Sequence, residues 1–139
     1  MPRDPLIWDA EIDGAAALEY LRSHPRIDAT AIGVVGESYS GEEAAEVARS
    51  RAFAQVLVVL SPGSLSEASI SAIDSTGIPW LFVTAREDPF LVDITATVSH
   101  SSGNAELSLL PGEGHATNLF SEHRDLAEKI AVWLAARLR

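Results

Sequence analysis

Cysteine is missing from all 139 residues, which removes disulfide frameworks, a thiol nucleophile and Cys-based metal sites from consideration. Basic residues are scarce: 10 Lys and Arg stand against 20 Asp and Glu, a formal net charge of -10. That deficit argues against a basic face for nucleic acid or anionic membrane, so neither is expected as a partner. No apolar run approaches the length of a membrane span, and the opening Met1-Pro2-Arg3-Asp4-Pro5 lacks the apolar core of a signal peptide. A soluble, cytoplasmic protein is the expectation. Repeats and low-complexity tracts are also lacking, and the length suits a single domain over residues 1–139 with a real hydrophobic core.

What the chain does have is alternation. Short apolar runs at residues 31–36, 54–60, 78–84 and 105–110 read as strands. Two of them, Val56-Leu57-Val58-Val59-Leu60 and Trp80-Leu81-Phe82-Val83, are too continuous for a sheet with one wet face and predict parallel strands covered on both sides. Helical patterns fill the intervals. Residues 9–23 carry Ile12, Ala16 and Tyr20 at i+4 with Ala17 and Leu21 beside them, and Pro25 ends the run. Further helices are predicted near residues 42–49, 66–75 and 89–101, the last weakened by its β-branched residues. A final helix over residues 122–138 keeps Leu126, Ile130, Leu134 and Leu138 on one face, with Ser121 as its cap. Right-handed crossovers turn this order into an α/β fold of three layers: about four parallel strands with helices on both faces. Chemistry in such sheets collects at the carboxyl ends of the strands.

Three of those ends carry suggestive residues. After the first strand stands Gly36-Glu37-Ser38-Tyr39-Ser40-Gly41, where an apolar run gives way to a helical pattern rich in small residues. A sharp strand-to-helix turn of this kind strains one serine and lifts its hydroxyl clear of the sheet. After the third strand comes Arg86-Glu87-Asp88-Pro89, and after the fourth Pro111-Gly112-Glu113-Gly114-His115. Serine, acid and histidine then project from one sheet edge, as a charge-oriented histidine needs in order to deprotonate a serine hydroxyl.

These motifs resemble those of the α/β-hydrolase superfamily, and within it the dienelactone-hydrolase-like bacterial esterases. The likeness rests on Leu21-Arg22-Ser23-His24-Pro25-Arg26-Ile27-Asp28, Ile32-Gly33-Val34-Val35-Gly36-Glu37-Ser38, Glu87-Asp88-Pro89 and Leu110-Pro111-Gly112-Glu113-Gly114-His115. It runs from about Trp8 onward. The resemblance implies Ser38 as nucleophile, His115 as general base, Asp88 as the acid that orients it, and a small ester as substrate. It also implies that the Tyr39 backbone N–H is an oxyanion donor, helped by the N-terminus of the next helix. Tyr39 is in addition a candidate wall of the substrate pocket.

Two departures from that pattern matter. The elbow motif of the family ends in glycine where this chain has Ser40; serine is small enough to be tolerated, and Gly41 is expected to supply some of the lost freedom. The second departure is upstream. Family members carry several strands before the elbow, and a loop after one of them gives the second oxyanion donor. Here 37 residues precede Ser38, with glycine at position 14, at position 33 in the first strand and at position 36 in the elbow itself. The chain is therefore expected to correspond to the carboxyl-terminal half of the fold, a truncated α/β-hydrolase without the usual second donor. Loss of one donor costs about 2.7 to 4 kcal/mol of transition-state stabilisation, or about 100- to 1000-fold in rate. The first strand is left at an edge, so a homodimer or higher oligomer is expected to cover it. A partner chain could also lend a donor through Pro5-Leu6-Ile7-Trp8.

Competing readings remain beside these. Glu87 and Asp93 are rival acids, one pointing elsewhere and one a turn into the next helix. His123 is a poorer base, expected to face solvent at the opening of the last helix, while His24 and His100 sit at helix ends. A metal held by His115, Glu122 and His123 lacks tight ligand spacing, so no metal or cofactor is expected. The dinucleotide reading of Gly33, Gly36 and Gly41 fails because no acid ends the second strand. Glu37, Glu42, Glu43, Glu46, Glu87, Asp88 and Glu113 cluster in or near the three loops and predict a negative mouth, although acids in a first helical turn also suit the helix dipole. Against the esterase stands a catalytically weak or silent half-fold, serving as an oligomerising scaffold or needing a partner segment.

Overall fold

The two continuous apolar runs become the inner strands of a four-stranded parallel sheet in the computed structural model, which describes residues 10–51, 54–63, 65–101 and 103–138. The elements in order are α1 (Ala10–Ser23), β1 (Gly33–Glu37), α2 (Ser40–Arg51), β2 (Val56–Leu60), α3 (Glu67–Thr76), β3 (Trp80–Ala85), α4 (Leu91–His100), β4 (Ala105–Leu110), α5 (Asn118–Glu122) and α6 (Leu126–Arg137). The strands lie side by side in chain order β1-β2-β3-β4, every pair parallel. All residues of β2 and β3 are buried, which is why neither alternates polar with apolar.

Side-chain parity divides the core into two layers. Leu57, Val59, Trp80 and Phe82 meet Ala44, Ala45 and Ala48 of α2 and Ile94 of α4 on one face. On the other, Val58, Leu60, Leu81, Val83 and Ala85 lie under Leu119, Leu126 and Ile130 of α5 and α6. Because each strand is added on the same side of its predecessor, right-handed crossovers bring the connecting helices to one face. The opposite face is left to α5 and α6. Among the described residues no helix is long and apolar enough to cross a membrane.

β1 is an edge strand. Ile32 accepts the Gln55 N–H (2.8 Å) and Ser38 donates its N–H to Leu60 (2.8 Å), so even-numbered residues of β1 turn their backbone groups toward β2. The N–H and C=O of Gly33, Val35 and Glu37 therefore point to the open edge. Val35 is 52% exposed. Beside this edge runs a groove of about 370 Å³ lined largely by apolar side chains, among them Leu18 and Leu21 of α1, Val34 of β1 and Val47 of α2.

Two expectations need correction. The i+4 series in α1 does not face the core: Ile12 and Tyr20 are 60% and 64% exposed. The helix packs instead through Leu18 and Leu21 against Ile32, Val34 and Val47, and at Gly14 it comes so near α2 that an added Cβ would lie 3.1 Å from Val47 Cγ2. The bare glycine permits an approach that no apolar stripe signals. Nor is the C-terminal segment one helix. It breaks at His123 (φ -123, ψ 85) between α5 and α6, and Ser121 lies inside α5 rather than capping anything. Residues 5–8, a suggested source of a donor, fall outside the described residues.

The tightest backbone approach is at Gly36, where a Cβ would stand 2.7 Å from the Ser40 carbonyl oxygen and 3.2 Å from Ala44 Cβ. Gly36→Ala is expected to lower stability by about 1–3 kcal/mol through overpacking. Gly63, with nothing within 4 Å of its Cβ position, serves as control, and Gly63→Ala should stay within about 0.5 kcal/mol. Urea midpoints measure both.

Candidate active site

Ser38 follows the last residue of β1 and adopts φ 46, a left-handed value that is strained for a residue with a side chain. Its N–H is held by Leu60 (2.8 Å), and the first bonds of α2 start immediately after it, from Gly41 to Ser38 (3.1 Å) and Glu42 to Tyr39 (3.2 Å). Strand and helix thus leave the serine no other course. Ser40 is exposed and is accommodated without strain on its side chain. Gly41 supplies space rather than backbone freedom: it is not among the positive-φ glycines, and a Cβ there would be 2.8 Å from Val59 Cγ1.

Asp88 comes to the same edge from the turn after β3, its side chain fully buried. One oxygen, Oδ1, accepts the Phe90 N–H at 2.9 Å in a local Asx turn. The other, Oδ2, lies 2.9 Å from His115 Nδ1. Burial alone would push this carboxyl up. The Phe90 N–H, His115 and the nearby hydroxyls of Ser61 and Thr84 outweigh it and hold Asp88 below the ordinary carboxylate value. Those two hydroxyls are completely buried with no hydrogen-bond partner among the described residues, so they act on the carboxylate as neighbouring dipoles. Ser61 is itself set at φ 43, turned back at the end of β2.

An ionised Asp88 can only accept, which puts the imidazole proton on Nδ1 and leaves Nε2 free to accept. His115 Nε2 stands 2.9 Å from Ser38 Oγ. Ser38, His115 and Asp88 therefore form one hydrogen-bonded line, in which the serine hydroxyl donates to a nitrogen able to take its proton.

The loop that presents His115, residues 111–117, is tied down along its length. Glu122 Oε2 accepts the Gly114 N–H (3.1 Å), and His123 donates its Nε2–H to the Pro111 carbonyl (3.0 Å). Glu87 donates its N–H to Gly112 (3.1 Å), joining this loop to the Asp88 turn. Glu37 Oε2 accepts the Thr117 N–H (2.9 Å). A Cβ at Gly114 would come within 2.8 Å of the Glu122 carboxylate, so the glycine makes room for its own tether.

Several of these partners were not singled out from the sequence. His123, expected to face solvent, is half-buried and holds the loop instead. Phe90 contributes its N–H to Asp88 and its ring to the mouth, 6.3 Å from the His115 ring at 47°. The Asp88-Pro89-Phe90 order was a usable signal, since Asp commonly accepts an N–H two residues on. Of the acidic cluster, Glu37 and Glu42 accept backbone N–H groups, the latter from Ser66 (3.0 Å). Glu87 and Asp93 are exposed and no hydrogen bond joins either side chain to His115. Tyr39 is 57% exposed beside Ser38. Among the described residues no group of three or more His, Asp or Glu side chains could hold a metal ion.

No protein-family model matches the chain, and no curated protein sequence matches it either. Solved structures do. An esterase from Pyrococcus furiosus superposes with a TM-score of 0.79 at 15% identity over 100% of this chain and 66% of its own. Dienelactone hydrolase from Anabaena variabilis gives 0.79 at 21% identity over 96% of this chain and 62% of its own. The fold is that of the α/β-hydrolases. An alpha-beta serine hydrolase homologue from Coxiella burnetii, with a TM-score of 0.71 and 21% identity, covers 100% of this chain and 62% of its own. This chain thus spans about three fifths of the length of those proteins and carries the α/β-hydrolase fold in truncated form.

The depressed Asp88 value has a sign that can be tested. A carboxyl whose folded value lies below its unfolded one stabilises the protein above the unfolded value, and that contribution disappears as pH falls through the folded value. Asp88→Asn should therefore unfold at lower urea than the parent at pH 7, and the gap should close as the pH drops below about 4.

Proposed function

We propose that the chain is a serine hydrolase that cleaves small neutral esters through an acyl-enzyme on Ser38. The observation that carries this reading is the 2.9 Å and 2.9 Å line from Ser38 through His115 to a buried, ionised Asp88. As Ser38 Oγ attacks the ester carbonyl, His115 Nε2 takes its proton, and Asp88 stabilises the imidazolium that results. Collapse of the tetrahedral intermediate breaks the ester C–O bond, and His115 returns the proton to the departing alcohol. A water molecule, deprotonated by His115 in turn, then releases the acid and restores Ser38.

The Tyr39 N–H supports the oxyanion in this scheme: among the described residues it donates to no acceptor. A scheme that uses this donor alone is slower by about 100- to 1000-fold than one with two. The Phe90 ring, 6.3 Å from that of His115, and the exposed Tyr39 next to Ser38 serve in this reading as apolar walls, and the excess of acidic over basic residues favours neutral or cationic esters over carboxylate-bearing ones. Faster turnover of an anionic ester than of its neutral isostere at low salt would count against that preference.

The competing reading, a silent scaffold or a piece that needs a partner segment, draws support from the 62% span of the Anabaena and Coxiella chains. Fluorophosphonate labelling separates the two. The parent is expected to label covalently and Ser38→Ala not to; absence of label on both would favour the scaffold.

We also propose that a second copy covers the β1 edge. The outward groups of Gly33, Val35 and Glu37 form a self-complementary set, since an antiparallel pairing about a twofold axis at Val35 would join Gly33 of each copy to Glu37 of the other. A dimer is expected by light scattering, and Val35→Lys should return it to monomer. A monomeric parent at high concentration would overturn this.

A further inference from the structure

Ser38 and His115 reach each other from opposite edges of the sheet. Ser38 leaves β1 at one edge and His115 follows β4 at the other, with β2 and β3 between them. At about 4.8 Å per strand, the histidine loop must extend back roughly 14 Å to bring its ring to the serine. It does so through two residues with positive φ, Gly112 (98) and Ala116 (55). The tethers from Glu87, Glu122 and His123 anchor this loop to the Asp88 turn and to α5, all on the histidine's own side of the site.

Glu37 differs from these. It precedes Ser38 directly, and its carboxylate accepts the N–H of Thr117, two residues past His115, at 2.9 Å. Among the described residues it is the one side-chain bond to the backbone of the histidine loop that starts from the serine's own segment. We propose that Glu37 is a positioning residue whose carboxylate latches the histidine loop to the serine turn and so sets the Ser38 Oγ to His115 Nε2 contact. The inference rests on the serine hydrolase reading for its effect on rate, though not for the existence of the latch.

The charge matters as well as the reach. A carboxylate accepting a main-chain N–H is a stronger tether than a neutral acceptor, and Ala116, buried at 9% in a strained conformation between His115 and Thr117, needs such an anchor to stay put. Glu37→Gln retains an acceptor of the same length; Glu37→Ala removes it.

The test compares fluorophosphonate labelling rates and ester hydrolysis in the parent, Glu37→Gln and Glu37→Ala, with thermal melting as a check on folding. Glu37→Ala should lose about 10- to 100-fold in labelling rate and kcat, with KM within about twofold, and Glu37→Gln, which keeps the reach without the charge, should recover part of the loss. In parallel, the Thr117 amide should exchange with solvent at least about tenfold faster in Glu37→Ala than in the parent, while the Gly114 amide keeps its parent rate. Undiminished labelling in Glu37→Ala, or a Thr117 amide that exchanges equally fast in both proteins, would overturn the proposal. A parent that fails to label at all sinks the hydrolase reading instead, and the Thr117 exchange comparison still decides the latch.

Discussion

A buried negative charge organises this site. The Asp88 carboxylate sits with no exposure behind His115, and an ion in that position must be compensated from within the protein. The Phe90 N–H does so by folding the turn back on itself, His115 does so through Nδ1, and the dipoles of Ser61 and Thr84 add to both. The same compensation fixes the histidine tautomer, and the tautomer fixes the direction of the bond to Ser38. One desolvated ion therefore determines where a proton resides two groups away.

The sheet supplies what the ion cannot. Parallel strands in sequential order deliver all their following loops to one edge, so a turn after β1, a turn after β3 and a loop after β4 converge without any long excursion of the chain. Rigid β2 and β3, buried on both faces, set the distance that these loops must span. Short polar ties then fix the loops against one another, and most of them end on main-chain groups. Such ties place a backbone rather than a side chain, which leaves the side chains of Ser38, His115 and Asp88 free for one another.

Much of this was legible in the residues, and the reason lies in burial. The runs Val56–Leu60 and Trp80–Val83 announce inner parallel strands because a strand covered twice favours unbroken apolar residues. Ser38, Asp88 and His115 were legible as residues in the turns and loop that follow the first, third and fourth apolar runs. Features that depend on a close approach or a long reach were not. The packing face of α1 is set by Gly14, a residue with no side chain to register in a periodicity. The break at His123 follows from its bond to Pro111 and not from any local helix breaker, and Glu37 meets Thr117 across 80 positions of sequence. The acidic cluster read from the sequence as a field is in part a set of backbone acceptors.

Placing Ser38 at the end of an edge strand also sets the order in which the molecule comes apart. Within one copy and among the described residues, β1 is hydrogen-bonded along one side only, whereas β2 and β3 are bonded along both. Segments with fewer bonds and a wetter flank open at lower free energy than the core they adjoin. In a single copy the elbow therefore adjoins one of the two weaker strands of the sheet, and the geometry around Ser38 is lost in partial openings that leave β2, β3 and their helices intact. Ageing or warming would blunt this site well before the fold itself melted.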